Sequence, residues 1–290
     1  MKYGFIHNHR SVFVVEKMCQ VLEVSRSGYY QWNNGCESHR SLENQAILEA
    51  IKAIFTKSRG TYGSPRITEA LGDRGLSCSR PRVARLMRKN GIKAKARRKY
   101  KVTTNSDHSY PLAPNLLSDG FWTTAANRIW MSDITYIRTR EGWLYLTVIL
   151  DLYTRKVVGW SMSDRLHTRS TTIPAFLQAV KRYQPLPGLI FHSDRGVQYA
   201  CDDFRLLLDQ FRVIQSMSGK GNCYDNAVVE SFFHTLKTEL VYHETYNTRW
   251  EARTSLFEYL EVFYNRFRKH SALGYKSPEE YEYSEFKQAI

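Results

Sequence analysis

The sequence predicts two unlike parts: an all-helical N-terminal region with a helix-turn-helix, and an α/β domain built on a mixed five-stranded sheet. Three observations predict this. Up to about residue 100, apolar residues recur at helical spacing and β-rich runs are absent. From about residue 124, three β-rich runs follow one another, broken only by short turns. Helices and strands then alternate, the layout of an α/β domain.

The first segment, residues 1–55, reads as helical. Val15, Met18, Val21 and Leu22 share a helical spacing, and a second amphipathic helix runs from Leu42 to Phe55 with Ser41 as its N-cap. Residues 56–100 read as helix, turn, helix. Ser64 caps a helix with Pro65 at its first position, and Ser79 or Arg80 precedes Pro81 in the same plan. Val83, Leu86 and Met87 face inward, and Gly91 stops the second helix. Residues 101–123 have two prolines and little periodicity, and read as a linker. Residues 124–283 hold the strands "RIWMSDITYIRT", "GWLYLTVILDLY" and "RKVVGWSMSD", with turns at Arg140-Glu141-Gly142 and Tyr153-Thr154-Arg155. A helix, the buried strand "GLIFHSD", a helix, the short strand "VIQSMS" and a further helix complete the domain.

The net charge of +14 is concentrated. Lys57 to Lys101 holds 15 basic and 2 acidic residues, against 27 and 26 in the rest of the chain. A local field of one sign points to a polyanion, with nucleic acid the default, and the helix-turn-helix makes double-stranded DNA the expected partner. Arg80, Arg82, Arg85, Arg88 and Lys89 on the second helix, with Arg97 and Arg98 behind it, are the candidate DNA contacts. No run of 18 apolar residues and no signal-peptide pattern is present, which predicts a protein that is neither secreted nor membrane-bound. Five scattered cysteines predict reduced thiols in a cytosol.

Three acids stand out by context. Asp133 lies inside the first β-run, Asp194 ends a buried strand, and Glu230 sits between Val229 and Phe232 on a helix. Each has an ordinary explanation: a solvent-facing strand residue, a cap for the turn "DRG", an ion pair with His234. Together they have a common one. Carboxylates at central strand ends converge, and a helix packed beside them delivers a third. Two carboxylates 4 Å apart repel by roughly 4 kcal/mol at an effective dielectric of 20. Such a cluster calls for Mg²⁺ or Mn²⁺.

Asp194 and Glu230 are separated by 35 residues. With "WMSDITYI", "FHSDRGVQY", "SMSGKGNCYDNAVVESFFHTLKTEL" and "YNRFRKHSALGYKSP", the chain resembles the orfB-type insertion-sequence transposases of bacteria, whose DDE core is shared with retroviral integrases. The resemblance covers nearly the whole chain. It implies an RNase H-like core in which Asp133, Asp194 and Glu230 bind two divalent metal ions. It also implies cleavage at element ends, followed by in-line attack of the freed 3′-hydroxyl on a second phosphodiester. The implied location is the bacterial cytoplasm, at the nucleoid.

Asn226, Glu230 and Lys237 lie on roughly one helix face, and Lys237 is placed to hold a DNA phosphate. Asp225 is a rival third ligand or a helix cap, and Asp151 reads as a turn acid. Arg268 and His270 either contact DNA or brace the Glu230 helix; both readings stand at this level. His7, His9, Cys19 and Cys36 lack paired ligand spacing, so no structural zinc is expected. Two element ends imply at least a dimer, a homo-oligomer, in the active complex. The family also implies an upstream helix-turn-helix and coiled-coil partner, separate or fused by a frameshift; no heptad zipper is visible here. The competing functions are a DNA-binding regulator with a degenerate core, which would tolerate Asp133→Asn, and an RNase H-type nuclease, which would leave no joined product.

Overall fold

The computed structural model describes residues 1–35, 39–95, 110–118, 123–219 and 226–288. Three short helices, α1 (Lys2–Asn8), α2 (Val15–Val21) and α3 (Arg26–Asn33), close on Ile6, Met18, Cys19 and Tyr29. Ser25 caps α3, its Oγ accepting from the Gly28 N–H at 3.0 Å. Val21, at the end of α2, faces solvent instead of the cluster.

Helices α4 (His39–Lys57), α5 (Ser64–Gly72) and α6 (Arg80–Lys89) form the next unit. Pro65 and Pro81 sit in the first turns of α5 and α6, where a missing N–H costs nothing. Ile47, Ile51 and Ile54 of α4 pack in one cluster with Ile67, Leu71, Val83, Leu86 and Met87. The boundary expected after residue 55 therefore cuts a packed unit. Charge content suggested that boundary, but the apolar stripe of α4 decides what it packs against.

The sheet comprises β1 (Ile129–Thr139), β2 (Gly142–Asp151), β3 (Val157–Ser163), β4 (Ile190–Ser193) and β5 (Ile214–Met217), in the spatial order β3-β2-β1-β4-β5. β1, β2 and β3 are antiparallel; β4 runs parallel to β1, and β5 parallel to β4. Helices α7 (Thr172–Tyr183), α8 (Val197–Ala200) and α9 (Asp202–Gln210) belong to one face, where Trp130 and Phe191 meet Phe176, Tyr199 and Phe204. The other face carries α10 (Ala227–Glu239) and α11 (Arg249–Phe257), which continues as a π-helix over Glu258–Tyr264; α12 (Pro278–Gln288) follows. Met131 and Ile137 meet Val229, Phe232, Phe233 and Leu236 there. Alternation along β1 thus sends odd-numbered residues toward α10 and even-numbered ones toward α7 and α9. Gly159 lies against the Ala175 carbonyl, and a Cβ there would sit 2.8 Å from that of Ala179, so β3 and α7 touch backbone to backbone.

The apolar cluster of α4–α6 is continuous with that of α10 and α11. Polar links reinforce the junction. The Tyr62 hydroxyl donates to the Phe267 carbonyl and accepts from the Lys269 N–H, both at 2.8 Å. Arg66 Nε donates to the Lys269 carbonyl at 2.9 Å, and Lys95 Nζ to the Glu239 carbonyl at 2.9 Å. The described part of the expected linker also packs: the Met217 N–H donates to the Pro114 carbonyl at 3.3 Å, and the Leu116 N–H to Ser216 Oγ at 3.0 Å. Pro114 and Leu116 are thus anchored beside β5. Among the described residues no helix is long and apolar enough to cross a membrane.

Candidate active site

Ser132 of β1 and Ser193 of β4 are register partners in a parallel pair. Asp133 and Asp194 each follow by one residue, so the two carboxylates leave neighbouring strands at the same level and on the same face. That face is the one α10 covers, and Glu230 lies in the first turn of α10. Asp133 and Asp194 are half-buried; Glu230 is exposed at the rim. Gly196 closes the Asp194 turn: its N–H donates to Asp194 Oδ1 at 2.9 Å, and a Cβ there would crowd that oxygen at 3.0 Å.

The three acids feel one another. Burial pushes the Asp133 carboxyl well above the usual carboxylate range, and the charges of Asp194 and Glu230 push it further. The Ile134 N–H, donating to Asp133 Oδ1 at 2.7 Å, and Lys237 act in the opposite sense. Burial, then Asp194, raises Glu230 as well. Lys237 is pushed down by burial and partly restored by Asp133. Among the described residues no three acidic, imidazole or thiol groups stand close enough to form a ready-made metal cage. The donor set is nevertheless all oxygen, with one lysine against three like charges, and suits a hard divalent cation.

Asp151 is spent on its turn. Its Oδ1 accepts from the Thr154 N–H and hydroxyl, both at 2.8 Å, and its Oδ2 from the Asn127 N–H at 2.7 Å. Among the described residues Glu230 makes no ion pair with His234. Asp225 lies outside the described residues.

Beside the carboxylates a groove of about 650 Å³ runs past Tyr136, Arg138, Arg140, Trp143, Lys237 and Tyr242. It follows the edge of β1 that β4 leaves uncovered beyond Ser132, closed at its far end by the Thr139–Tyr246 bridge.

The expected DNA contacts divide. Arg80, Arg85, Arg88 and Lys89 are exposed on α6, opposite Val83, Leu86 and Met87. Arg82 turns instead to α4, its Nε donating to Asn44 Oδ1 and its Nη2 to Glu43, both at 3.0 Å. Arg97 and Arg98 lie outside the described residues. Asn226 is buried, and its Oδ1 has no hydrogen-bond partner among the described residues, so it does not share the exposed face of Glu230. Arg268 is also buried, with Nε and Nη2 on the two Glu239 carboxylate oxygens at 2.9 and 2.7 Å. It braces the Glu230 helix, of which Glu239 is the last residue, with its guanidinium committed to that carboxylate. His270 packs edge-on against Tyr264, and burial together with Arg268, Arg66 and Arg155 pushes its pKa down to about 2. A neutral imidazole brings no positive charge to a phosphate.

Sequence reasoning passed over Glu239, which accepts from Arg268 and, at 2.8 Å, from the Tyr259 hydroxyl. Its signal was present: Phe232, Leu236 and Leu240 mark the core stripe of α10, and Glu239 falls within it.

An integrase-type core behind a helix-turn-helix is also what comparison finds. Residues 123–223 match the family described as integrase core domain, residues 230–286 a second integrase core domain family, and residues 42–100 an HTH-like domain. The transposase InsF for insertion sequence IS3A of Escherichia coli (strain K12) is 42% identical over 287 residues, 97% of this chain and 98% of that protein. The 31 kDa protein of insertion element IS600 from Shigella sonnei, described as uncharacterized, is 46% identical over 261 residues, 90% of this chain and 96% of that protein. Among solved structures, the catalytic core domain of BIV integrase covers 57% of this chain and 99% of that one, at 20% identity and a TM-score of 0.43. The chain belongs to the family of transposases encoded by IS3-type insertion sequences.

Proposed function

We propose that this transposase cuts DNA at the ends of its element and joins them to a target through a site made of Asp133, Asp194 and Glu230. The observation that carries this is the in-register placement of Asp133 and Asp194 beneath the helix that bears Glu230. The three carboxylates would hold two Mg²⁺ or Mn²⁺ ions, which, when bound, supply Lewis-acid stabilisation of phosphoryl oxygens and a more acidic water. In the first reaction a water oxygen bonds to phosphorus and the 3′-oxygen leaves as a hydroxyl. That hydroxyl then bonds to a second phosphorus, and the target's own 3′-oxygen leaves. Neither reaction passes through a covalent protein–DNA intermediate.

Lys237, seven residues after Glu230 and beside Asp133, holds a non-bridging phosphate oxygen. The groove past Tyr136 and Trp143 receives the strand leaving the reacting phosphate; exposed aromatic rings stack on bases, and Arg138 and Arg140 follow the backbone. Helix α6 reads duplex DNA with Arg80, Arg85, Arg88 and Lys89. Two element ends require two copies of the site, hence at least a dimer, and the upstream partner belongs to the same assembly.

The test is nicking of supercoiled plasmid with Mn²⁺ or Mg²⁺, with joined products scored separately. Wild type nicks and joins only with the metal present, and Glu230→Gln does neither while melting normally. Equal nicking by Glu230→Gln would remove Glu230 from the site, and nicking without joining would favour a plain nuclease.

A further inference from the structure

On the flank of α10 next to Glu230, a cavity of about 360 Å³ is lined by Ser231, Thr235, Arg66, Arg155, Arg268 and His270. The three arginines come from distant places: α5, the turn between β2 and β3, and the segment after the π-helix. Their charges are poorly balanced. Arg268 is committed to Glu239, and Arg66 Nη1 reaches the same carboxylate only at 3.8 Å. Among the described residues the Arg155 side chain makes no ion pair and no hydrogen bond. Asp151, whose charge Arg155 feels, is buried with both oxygens engaged by Asn127 and Thr154. His270 contributes no compensating charge and faces Arg268 with its Nε2 at 3.3 Å.

Arg66 and Arg155 are half-buried beside the buried Arg268, which repels Arg66, and an anion that joined them would relieve that repulsion. The planar fork of arginine matches phosphate oxygens, and hydroxyls such as those of Ser231 and Thr235 complete such sites. The cavity also lies where the helix-turn-helix unit, through Arg66, meets the catalytic core, through Arg155 and α10.

We infer that this cavity is a phosphate-binding site that takes a DNA backbone phosphate beside α10, separate from the carboxylate cluster. The inference rests on the DNA-joining reading above. It adds that one duplex touches both units at once, with Arg155 as the free claw.

Arg155 sits at φ 58°, a left-handed conformation that asparagine tolerates. Arg155→Asn therefore removes the charge without adding backbone strain, and Arg155→Lys keeps it. Binding of a fluorescein-labelled random duplex by the full chain is followed by anisotropy between about 50 and 200 mM KCl. For Arg155→Asn the expected result is about tenfold weaker binding and a salt slope shallower by about 0.9, the loss of one phosphate contact. Arg155→Lys keeps the wild-type slope, and Arg155→Asn melts no lower than wild type, because it removes a half-buried charge that makes no ion pair among the described residues. A wild-type slope in Arg155→Asn overturns the inference. So does inorganic phosphate, at matched ionic strength, protecting wild type but not Arg155→Asn from heat while the DNA slopes agree, since the site would then hold free phosphate only. Failure of wild type itself to bind the duplex would bring down the DNA reading and this inference with it.

Discussion

Asp133→Asn is expected to make the metal-free protein more stable while ending its chemistry. Asp133 and Asp194 leave adjacent parallel strands at matched register, so their carboxylates are separated by roughly the strand spacing of about 4.8 Å. At an effective dielectric of 20 that repulsion is about 3.5 kcal/mol. Water at the open side of the site and the opposing charge of Lys237 reduce it, leaving about 1–2 kcal/mol to be gained. Asparagine keeps the Oδ1 that accepts from the Ile134 N–H, so the substitution loses no hydrogen bond there. For a chain of this size the gain is about 2–8 °C in Tm. The pH dependence has a definite sign. Because the folded carboxyl titrates above its unfolded value, the folded state binds more protons, and wild type loses stability as pH rises from about 4 through the raised pKa. The difference between the two proteins is therefore fully developed above the raised pKa and closes toward pH 4. The assay is calorimetry with chelator and then with Mg²⁺. Without metal the Asp133→Asn variant melts higher; with metal wild type gains stability and the variant does not. A lower Tm for the variant in chelator would refute the reasoning, because Asp133 would then be a satisfied structural acceptor and not a charge waiting for a cation.

Three further outcomes are expected. Arg268→Leu leaves buried Glu239 with only Arg66, 3.8 Å away, as counter-ion and costs about 3 kcal/mol in urea unfolding, much of which returns in the Arg268→Leu/Glu239→Leu double variant. His270, whose pKa falls to about 2 in the folded state, takes up a proton on unfolding. Stability is then full above about pH 6.5 and declines below it by up to about 1.4 kcal/mol per pH unit, a slope that His270→Gln reduces in denaturant titrations at several pH values. Arg85→Ala and Arg88→Ala on the exposed face of α6 each flatten the salt dependence of duplex binding by about 0.9 without moving the Tm.

The strands were legible because β-branched and aromatic residues crowd between clear turns, and the α10 carboxylate because Glu230 follows an apolar run. The helix-turn-helix showed itself through proline at both helix starts and arginine on one of them. The rest depended on contacts that no local pattern records. Nothing near Ile47, Ile51 and Ile54 says that their cover lies in the basic helices. Whether Arg268 and His270 met DNA or braced the Glu230 helix was not legible, because the acid that buries Arg268, Glu239, lies 29 residues away. Asn226 matched the helical face of Glu230 by arithmetic, yet it stands at the helix start, where the chain turns into the core.

Glu239 ties the end of α10 to Lys95 and Arg66 on one side of the sequence and to Tyr259 and Arg268 on the other. The clamp therefore has an order of assembly imposed by synthesis. A nascent chain that has emerged only as far as Glu239 already carries all three acids, but its α10 ends in a carboxylate whose strongest counter-ion has yet to be made. A truncated product stopping short of Arg268 would have the acids without the brace. The end of α10 is therefore completed late, once the stretch that carries Tyr259 and Arg268 has been made.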